Sequence, residues 1–423
     1  MEYTAEIISV GTELLLGSIA NTDAQMISQG LSALGINVYY HTVVGDNPGR
    51  LREAVNIAKS RANIIITTGG LGPTYDDLTK QTVCEAFSRP LELHEEEAEA
   101  LRHYFFDKIH SRHMPESNIQ QAMLPVDCTA FHNTCGTAPG CAFEADGVRV
   151  VLLPGPPHEC REMFEKSVVP YFEKLTAQTI KSHTLRVFGI GESMIDEKLH
   201  KQMTTMTNPT IAPYAKVGEV EVRVSAKAES EVAAEKLLAP AVDEVRSTLG
   251  DNVYGEDVKN LEEVVVALLK EKKLTLSTAE SCTGGLVAKR VTDIPGASEV
   301  FHGGVVSYVN AVKHVVLSVD NKALDSFGAV SAPVACQMAQ GAKLLLHTDI
   351  SVSATGLAGP EGDDRGNEVG TVYISLAASD GTWWKKVMCG QGRGRVRTLA
   401  AHHALDMVRR YLLGLTMDAE KQE

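Results

Sequence analysis

The apolar positions of the chain fall into two long alternating tracts, separated by a shorter one of different rhythm. In residues 4–170, short β-branched and aliphatic runs alternate with stretches of helical spacing. Glu6 to Val10 predicts a strand and Thr22 to Leu34 a helix. Val38 to Val44 predicts a second strand and Arg50 to Lys59 a second helix. Ile64 to Thr68 is strand-like throughout, as is Val148 to Leu153. Apolar strands separated by helices predict a doubly wound parallel sheet covered on both faces. Ligands of such sheets sit beyond the carboxyl ends of the strands. Gly11, Gly69 to Gly72 and Gly155 all fall at those ends.

Residues 171–255 read as a small α+β unit. Leu185 to Phe188 and Glu219 to Ala226 predict strands, the second alternating through Val220, Val222 and Val224. Ser193 to Lys201 and Glu231 to Leu249 predict helices. This segment has little site chemistry and reads as a spacer or a dimerisation module. A polar stretch, Gly255 to Asn260, then precedes a helix from Leu261 to Lys270. Strand and helix alternate again to about Leu413, and the polar tail from Thr416 to Glu423 is expected to fray. The expected domains are therefore 1–170, 171–255 and 256–415.

A chain of 423 residues exceeds one ordinary core, and 44% hydrophobic content with 35 glycines suits globular α/β domains. The net charge of −14 argues against a protein that mainly grips nucleic acid or an anionic membrane. It leaves room for a local basic pocket. No apolar stretch approaches the ~20 residues of a membrane span, and the start lacks the pattern of a signal peptide. Eight scattered cysteines without a C-x-x-C suggest reduced thiols in a cytoplasm. Cys135 and Cys141 lack the second ligand pair of a zinc site.

Two dense motifs carry the candidate chemistry. The first is T-T-G-G-L-G-P-T-Y-D-D-L-T, Thr67 to Thr79. Gly69, Gly70 and Gly72 permit close backbone approach, and their N–H groups suit a phosphate. Asp76 and Asp77 follow, and carboxylates beside a phosphate cradle suit a hydrated Mg²⁺-like ion. Alternatively, the pair caps the helix that starts near Thr79.

The second motif is T-A-E-S-C-T-G-G, Thr278 to Gly285, with Lys313 downstream in S-Y-V-N-A-V-K. A strand-to-helix turn presents Ser281 as a nucleophile, and N–H groups from Thr283, Gly284 and Gly285 suit an oxyanion. Serine needs a base. Lys313, in the first turn of a helix, would lose its proton more readily through the helix dipole, burial and repulsion from Arg393. His302 and His314 are weaker alternatives. Cys282 is a rival nucleophile whose thiol the helix N-terminus would acidify. Adjacent turn residues point differently, so only one of Ser281 and Cys282 faces the pocket. Arg393 and Arg397 share a helical face and fit a phosphate or carboxylate, or simply face solvent. Thr355 and the loop from Gly356 offer donors to ribose or phosphate.

These motifs resemble the CinA family (competence/damage-inducible protein A). Val10 to Glu13, Leu16-Gly17, Asn21-Thr22, Thr42 to Asp46, Thr67 to Thr79, Gly136 to Gly140 and Leu153 to Gly155 carry the N-terminal likeness. The resemblance implies a molybdopterin-binding-like domain with metal-dependent ADP-ribose pyrophosphatase activity. Gly69, Gly70, Gly72, Thr74, Asp76 and Asp77 would line its pyrophosphate and metal site, with Asp46 a further candidate. His158 stands in Pro156 to Glu159, where the family more often has Val-Pro-Ser-Glu, and is either a ligand contact or a tolerated substitution.

Arg186 to Ser193 and Pro209 to Lys216 imply a KH-like middle module. Gly189-Ile-Gly191 is followed by Glu192, so no RNA clamp is inferred. The C-terminal likeness, about Leu261 to Leu412, implies an amidase that converts nicotinamide mononucleotide to nicotinate mononucleotide and ammonia, with no cofactor. Ser281 matches the nucleophile and Lys313 its partner. Tyr308, grouped with them, and Asn310 match pocket residues; Thr355 and Arg393 match substrate contacts. Gly390-Gln-Gly-Arg393 departs from the commoner Gly-Asp-Arg. The expected whole is a cytoplasmic bifunctional enzyme of pyridine-nucleotide recycling, with a homodimer as the expected assembly. The alternative is a non-catalytic nucleotide- or molybdopterin-binding protein in competence or DNA repair.

Overall fold

The computed structural model describes residues 3–107, 114–174 and 179–422. The chain forms two compact units, residues 1–181 with 226–236 and residues 182–225 with 237–423.

In the first unit, β1 (Thr4–Val10), β2 (Asn37–Val44) and β3 (Ile64–Thr68) follow the predicted pattern. A separate ribbon pairs β4 (Leu91–Leu93) with β5 (Met123–Pro125). β6 (Thr129–Phe131), β7 (Gly140–Ala145) and β8 (Val148–Leu153) complete the main sheet, ordered β2-β1-β3-β8-β7-β6. β1, β2, β3 and β8 run parallel. β7 pairs antiparallel with both β8 and β6, so the expected parallel sheet ends in a hairpin edge. The cause is local. Asp146 (φ 53) and Gly147 (φ 74) are both left-handed, the requirement of a two-residue hairpin turn.

Alternation along the strands fills both faces. Ile7, Ile64, Ile66 and Val151 pack beneath the helices Thr22–Ala33 and Pro157–Met163. Ile8, Ile65, Val150 and Leu152 pack beneath Pro48–Lys59 and Thr79–Ala86. All eight strand residues are at 0% exposure, which explains why these strands read as continuous apolar runs.

In the second unit, β9 (Thr179–Val187), β10 (Thr210–Lys216), β11 (Glu219–Ala228) and β12 (Val253–Glu256) form a sheet ordered β10-β11-β9-β12. This segment is not a free spacer. Phe188 and Tyr254 join the same apolar core as Leu261 and Val265. Phe188 also stacks on His402, with ring centroids 5.6 Å apart.

The larger sheet of this unit contains β13 (Leu276–Glu280), β14 (Phe301–Val306), β15 (Ile350–Gly356), β16 (Thr371–Ala377), β17 (Thr382–Met388) and β18 (Glu420–Lys421). Its order is β14-β13-β15-β16-β17-β18. β13 is parallel to β14 and β15, whereas β15 to β18 are antiparallel. β14 runs through two glycines, Gly303 and Gly304. A Cβ on Gly304 would meet Thr278 Oγ1 at 2.3 Å, a close approach that keeps glycine inside the strand. The tail expected to fray instead adds a strand, with Lys421 opposite Trp383 and Glu420 opposite Trp384.

Candidate active sites

β13 ends at Glu280, and the chain turns through Ser281 to Gly285 into the helix Leu286–Thr292. Gly284 (φ 59) and Gly285 (φ 89) take the left-handed backbone this turn requires. The turn is held from two sides. Glu280, only 1% exposed, accepts from Val287 N at 3.0 Å and Ala288 N at 2.8 Å. Its carboxylate thus satisfies two of the donors that a helix start leaves open. Arg397 donates through Nε and Nη2 to the Thr283 carbonyl at 3.1 and 2.9 Å.

Lys313 is the fourth residue of the helix Asn310–Leu317 and is 1% exposed. Its Nζ donates to Ser281 Oγ at 3.1 Å and to the Ser307 carbonyl at 2.7 Å. Burial pushes its pKa down to about 8, with the Cys282 thiol acting weakly in the opposite direction. The repulsion expected from Arg393 is not a contributor. That guanidinium donates to Tyr308 Oη at 2.7 Å and to the Gly359 carbonyl at 3.4 Å.

The two rival nucleophiles separate in this geometry. Ser281 Oγ meets Lys313, whereas Cys282 packs into the apolar core with Cys389 and Val287. Burial pushes the Cys282 thiol up to about 12, so desolvation outweighs the acidification expected from the helix start. His302 and His314 spend Nδ1 on the carbonyls of Leu346 and Val319.

Several expected contacts are placed differently. Thr355 is buried and donates to the Ala329 carbonyl at 2.7 Å, so its proton is not free for a ligand. Gly356 ends β15 where a Cβ would meet the Thr371 carbonyl at 2.5 Å. Arg397 holds the Ser281 turn instead of presenting its fork to solvent. Tyr308, Asn310 and Arg393 are exposed. The Gly284 N–H donates to the Ser281 carbonyl at 3.0 Å and leaves the oxyanion set. Thr283 and Gly285 N–H have no backbone acceptor among the described residues. Sequence reasoning missed Ser307, whose fully buried hydroxyl, like that of Thr283, has no partner among the described residues.

The N-terminal motif lines a cleft of about 520 Å³ at the carboxyl ends of β1, β3 and β8. Gly69, Gly70, Gly72 and Thr74 all line it, as do Asp46, Asp76 and Asp77. A Cβ on Gly70 would lie 2.1 Å from Thr79 Oγ1, a buried hydroxyl without a partner among the described residues. Thr74 Oγ1 lies against the carboxylates of both Asp76 and Asp77, with one proton to give to either, and Asp77 also accepts from Thr74 N at 2.9 Å. Two carboxylates converging on one hydroxyl suit a divalent cation completed by phosphate oxygens and water. Asp46 Oδ2 is committed to Thr12 N and Oγ1, at 2.9 and 2.7 Å. Glu13 and Glu159 also line the cleft, which sequence reasoning did not anticipate. His158, 68% exposed at its side chain, is not among the lining residues.

All eight cysteines are free. Among the described residues, the one group of three potential metal ligands within reach of each other is His183, Glu256 and Asp257, outside both sites. No helix among them is long and apolar enough to cross a membrane.

These two sites, on a molybdopterin-binding-like domain and an α/β domain linked by a KH-like module, define the class of protein. Residues 6–174 match the family model of a probable molybdopterin binding domain, 182–255 that of the damage-inducible protein CinA KH domain, and 258–412 that of the CinA C-terminal domain. A CinA-like protein of Dictyoglomus turgidum is 47% identical over 97% of this chain and 99% of its own length. A putative competence-damage inducible protein of Thermoanaerobacter pseudethanolicus is 46% identical over 98% of this chain and 99% of its own. The crystal structure of a competence/damage inducible protein from Agrobacterium tumefaciens is 37% identical, covering 36% of this chain and 93% of that one, with a TM-score of 0.35. The chain belongs to the CinA family.

Proposed function

We propose that the C-terminal site hydrolyses the carboxamide of nicotinamide mononucleotide to nicotinate mononucleotide and ammonia. The observation that carries this reading is the 3.1 Å contact between Lys313 Nζ and Ser281 Oγ, both buried. The neutral Lys313 amine takes the Ser281 proton as Oγ attacks the amide carbon. The oxyanion is met by the N–H groups of Thr283 and Gly285. The lysine ammonium returns the proton to the leaving nitrogen, and ammonia departs from an acyl-enzyme. Water, deprotonated by Lys313, then attacks the ester and Ser281 recovers its proton. Arg393, exposed and paired with Tyr308, holds the 5′-phosphate. Glu280 and Arg397 position the turn without touching substrate. Ammonia release by the purified chain tests the reading, and full activity in Ser281→Ala would remove it.

A second activity is supported by the N-terminal cleft: cleavage of ADP-ribose to AMP and ribose 5-phosphate. Gly69 to Gly72 would receive the pyrophosphate, and Asp76 and Asp77 would hold a divalent cation. Such an ion supplies charge neutralisation and an activated water when bound. Product analysis with and without a chelator tests it, and undiminished cleavage in chelator would remove the metal role.

A further inference from the structure

Three thiols and an amine gather in the first unit, and none of the four has a part in either proposed site. Lys80 and Cys84 lie one turn apart on the helix Thr79–Ala86. Cys84 and Cys141 are each 1% exposed and belong to one apolar cluster, and the partly buried Cys128 packs against it. Lys80 Nζ donates to the carbonyls of Gln120 and Gln121 at 2.9 and 2.7 Å. Burial pushes its pKa down to about 8, so it is still cationic at pH 7.

Two of the thiols are brought together by the strand pairing. β6 and β7 run antiparallel with Ala130 opposite Cys141. Cys128 stands one residue before β6, in a turn where Asp127 is left-handed (φ 57) and the Cys128 N–H donates to the Pro125 carbonyl at 3.2 Å. Its sulfur shares a hydrogen bond with the Cys141 thiol. That bond holds the Cys128 thiol below its ordinary value, against burial, and the Lys80 charge acts weakly in the same direction. The same bond, with burial, pushes Cys141 well up. Burial also pushes Cys84 up to about 12. Cys135, in the loop between the pair, turns its sulfur to the His158 carbonyl at 4.0 Å, and burial and then Glu162 push it up. Cys128 is thus the accessible, more acidic thiol, and Cys141 is its buried neighbour.

We infer that Cys128 and Cys141 form a reversible oxidation site, which a peroxide converts to a disulfide. The Cys128 thiolate attacks one peroxide oxygen, the O–O bond breaks, and Cys128 becomes a sulfenic acid while the other oxygen leaves as water or alcohol. The Cys141 sulfur then attacks the Cys128 sulfur. The S–S bond forms, the S–O bond breaks, and the hydroxyl leaves with the Cys141 proton as water. Two thiols lose two electrons and the peroxide gains them. A disulfide needs its sulfurs about 2 Å apart, so the 127–128 turn must close onto β7. The bond would tie together the two ends of the 128–141 loop. Thr137 and Ala138, inside that loop, line the N-terminal cleft, so oxidation stiffens one wall of the cleft whatever ligand it takes.

The test is to treat the full chain with a small excess of hydrogen peroxide, unfold it, alkylate it and map the peptides by mass spectrometry. Two of the eight thiols are expected to be lost to alkylation, joined as a Cys128–Cys141 disulfide, and to return with dithiothreitol. Cys141→Ser is expected to stop at a Cys128 sulfenic acid that dimedone captures, and Cys128→Ser to leave Cys141 reduced. Amide hydrogen exchange over residues 132–138 is expected to slow in the oxidised wild type and to recover on reduction. A Cys128 that stays alkylatable, ends as a sulfinic acid or pairs with Cys84 or Cys135 would overturn the site. A Cys128–Cys141 disulfide with unchanged exchange would overturn its grip on the cleft wall.

Discussion

The two sites of this chain use the same scaffold position in opposite ways. Each lies at a glycine-rich turn beyond the carboxyl end of a parallel strand, β3 in one unit and β13 in the other. The N-terminal turn opens a wide cleft and gathers carboxylates, with Asp76 exposed to solvent. The C-terminal turn buries one amine against one hydroxyl. Solvated carboxylates acquire chemistry by recruiting a cation. A buried lysine acquires it from burial alone, which favours the neutral base and brings its pKa to about 8. The difference is one of solvent access, and it predicts opposite dependence on metal and on pH.

The sharpest way to break this comparison is to disable each site separately. Ser281→Ala is expected to lower ammonia release roughly a thousandfold or more, and Lys313→Met by roughly a hundredfold or more, without affecting ADP-ribose cleavage. Asp76→Asn with Asp77→Asn should do the reverse, lowering ADP-ribose cleavage roughly a hundredfold while ammonia release continues. Both products can be followed in one incubation. Loss of both activities in any one of these variants would contradict the separation.

A pH profile sharpens it next. Lys313 must be neutral to accept the serine proton. The kcat/KM for ammonia release should therefore rise about tenfold per pH unit below pH 8 and level off above. The stability sign follows from the same shift. The folded-state value lies below the ordinary 10.5, so burial of the ammonium costs most below pH 8. That cost is relieved as pH rises from 8 towards 10.5, and thermal unfolding of Lys313→Met should lack this rise.

Smaller effects test the support around the turn. Glu280→Gln replaces one acceptor with a donor facing Val287 N or Ala288 N, at a cost of about 1–3 kcal/mol in chemical denaturation. The smallest effect is expected at Cys282. Cys282→Ala removes a buried sulfur from the core, costs about 1 kcal/mol and leaves kcat within a few-fold. A large loss of kcat without a loss of stability would return the thiol to the mechanism.

Much of this was legible in the residues. Ile64 to Thr68 and Val148 to Leu153 are strands with the predicted ends, because strands buried on both faces read as unbroken apolar runs. The Ser281 turn was legible because its glycines answer a local backbone demand. Asp146-Gly147 is a hairpin signal two residues long, and the antiparallel edge of the first sheet turns on it instead of on any apolar pattern. Other misses required long-range contacts. Arg397 reaches the Thr283 carbonyl and Thr355 reaches that of Ala329, and neither partner is marked by spacing. The tail looked polar enough to fray, yet its pairing with β17 uses backbone groups that side-chain polarity does not report.

The central claim is that burial of one lysine beside one serine makes a metal-independent amidase. The most direct measurement is ammonia release from nicotinamide mononucleotide in the presence of a chelator, for the wild-type chain and Lys313→Met, across pH 6 to 10. The account predicts release by the wild type that climbs to a plateau above pH 8, and near-complete loss in the variant. Release that is absent from the chelated wild type, or that persists undiminished in Lys313→Met, would contradict it.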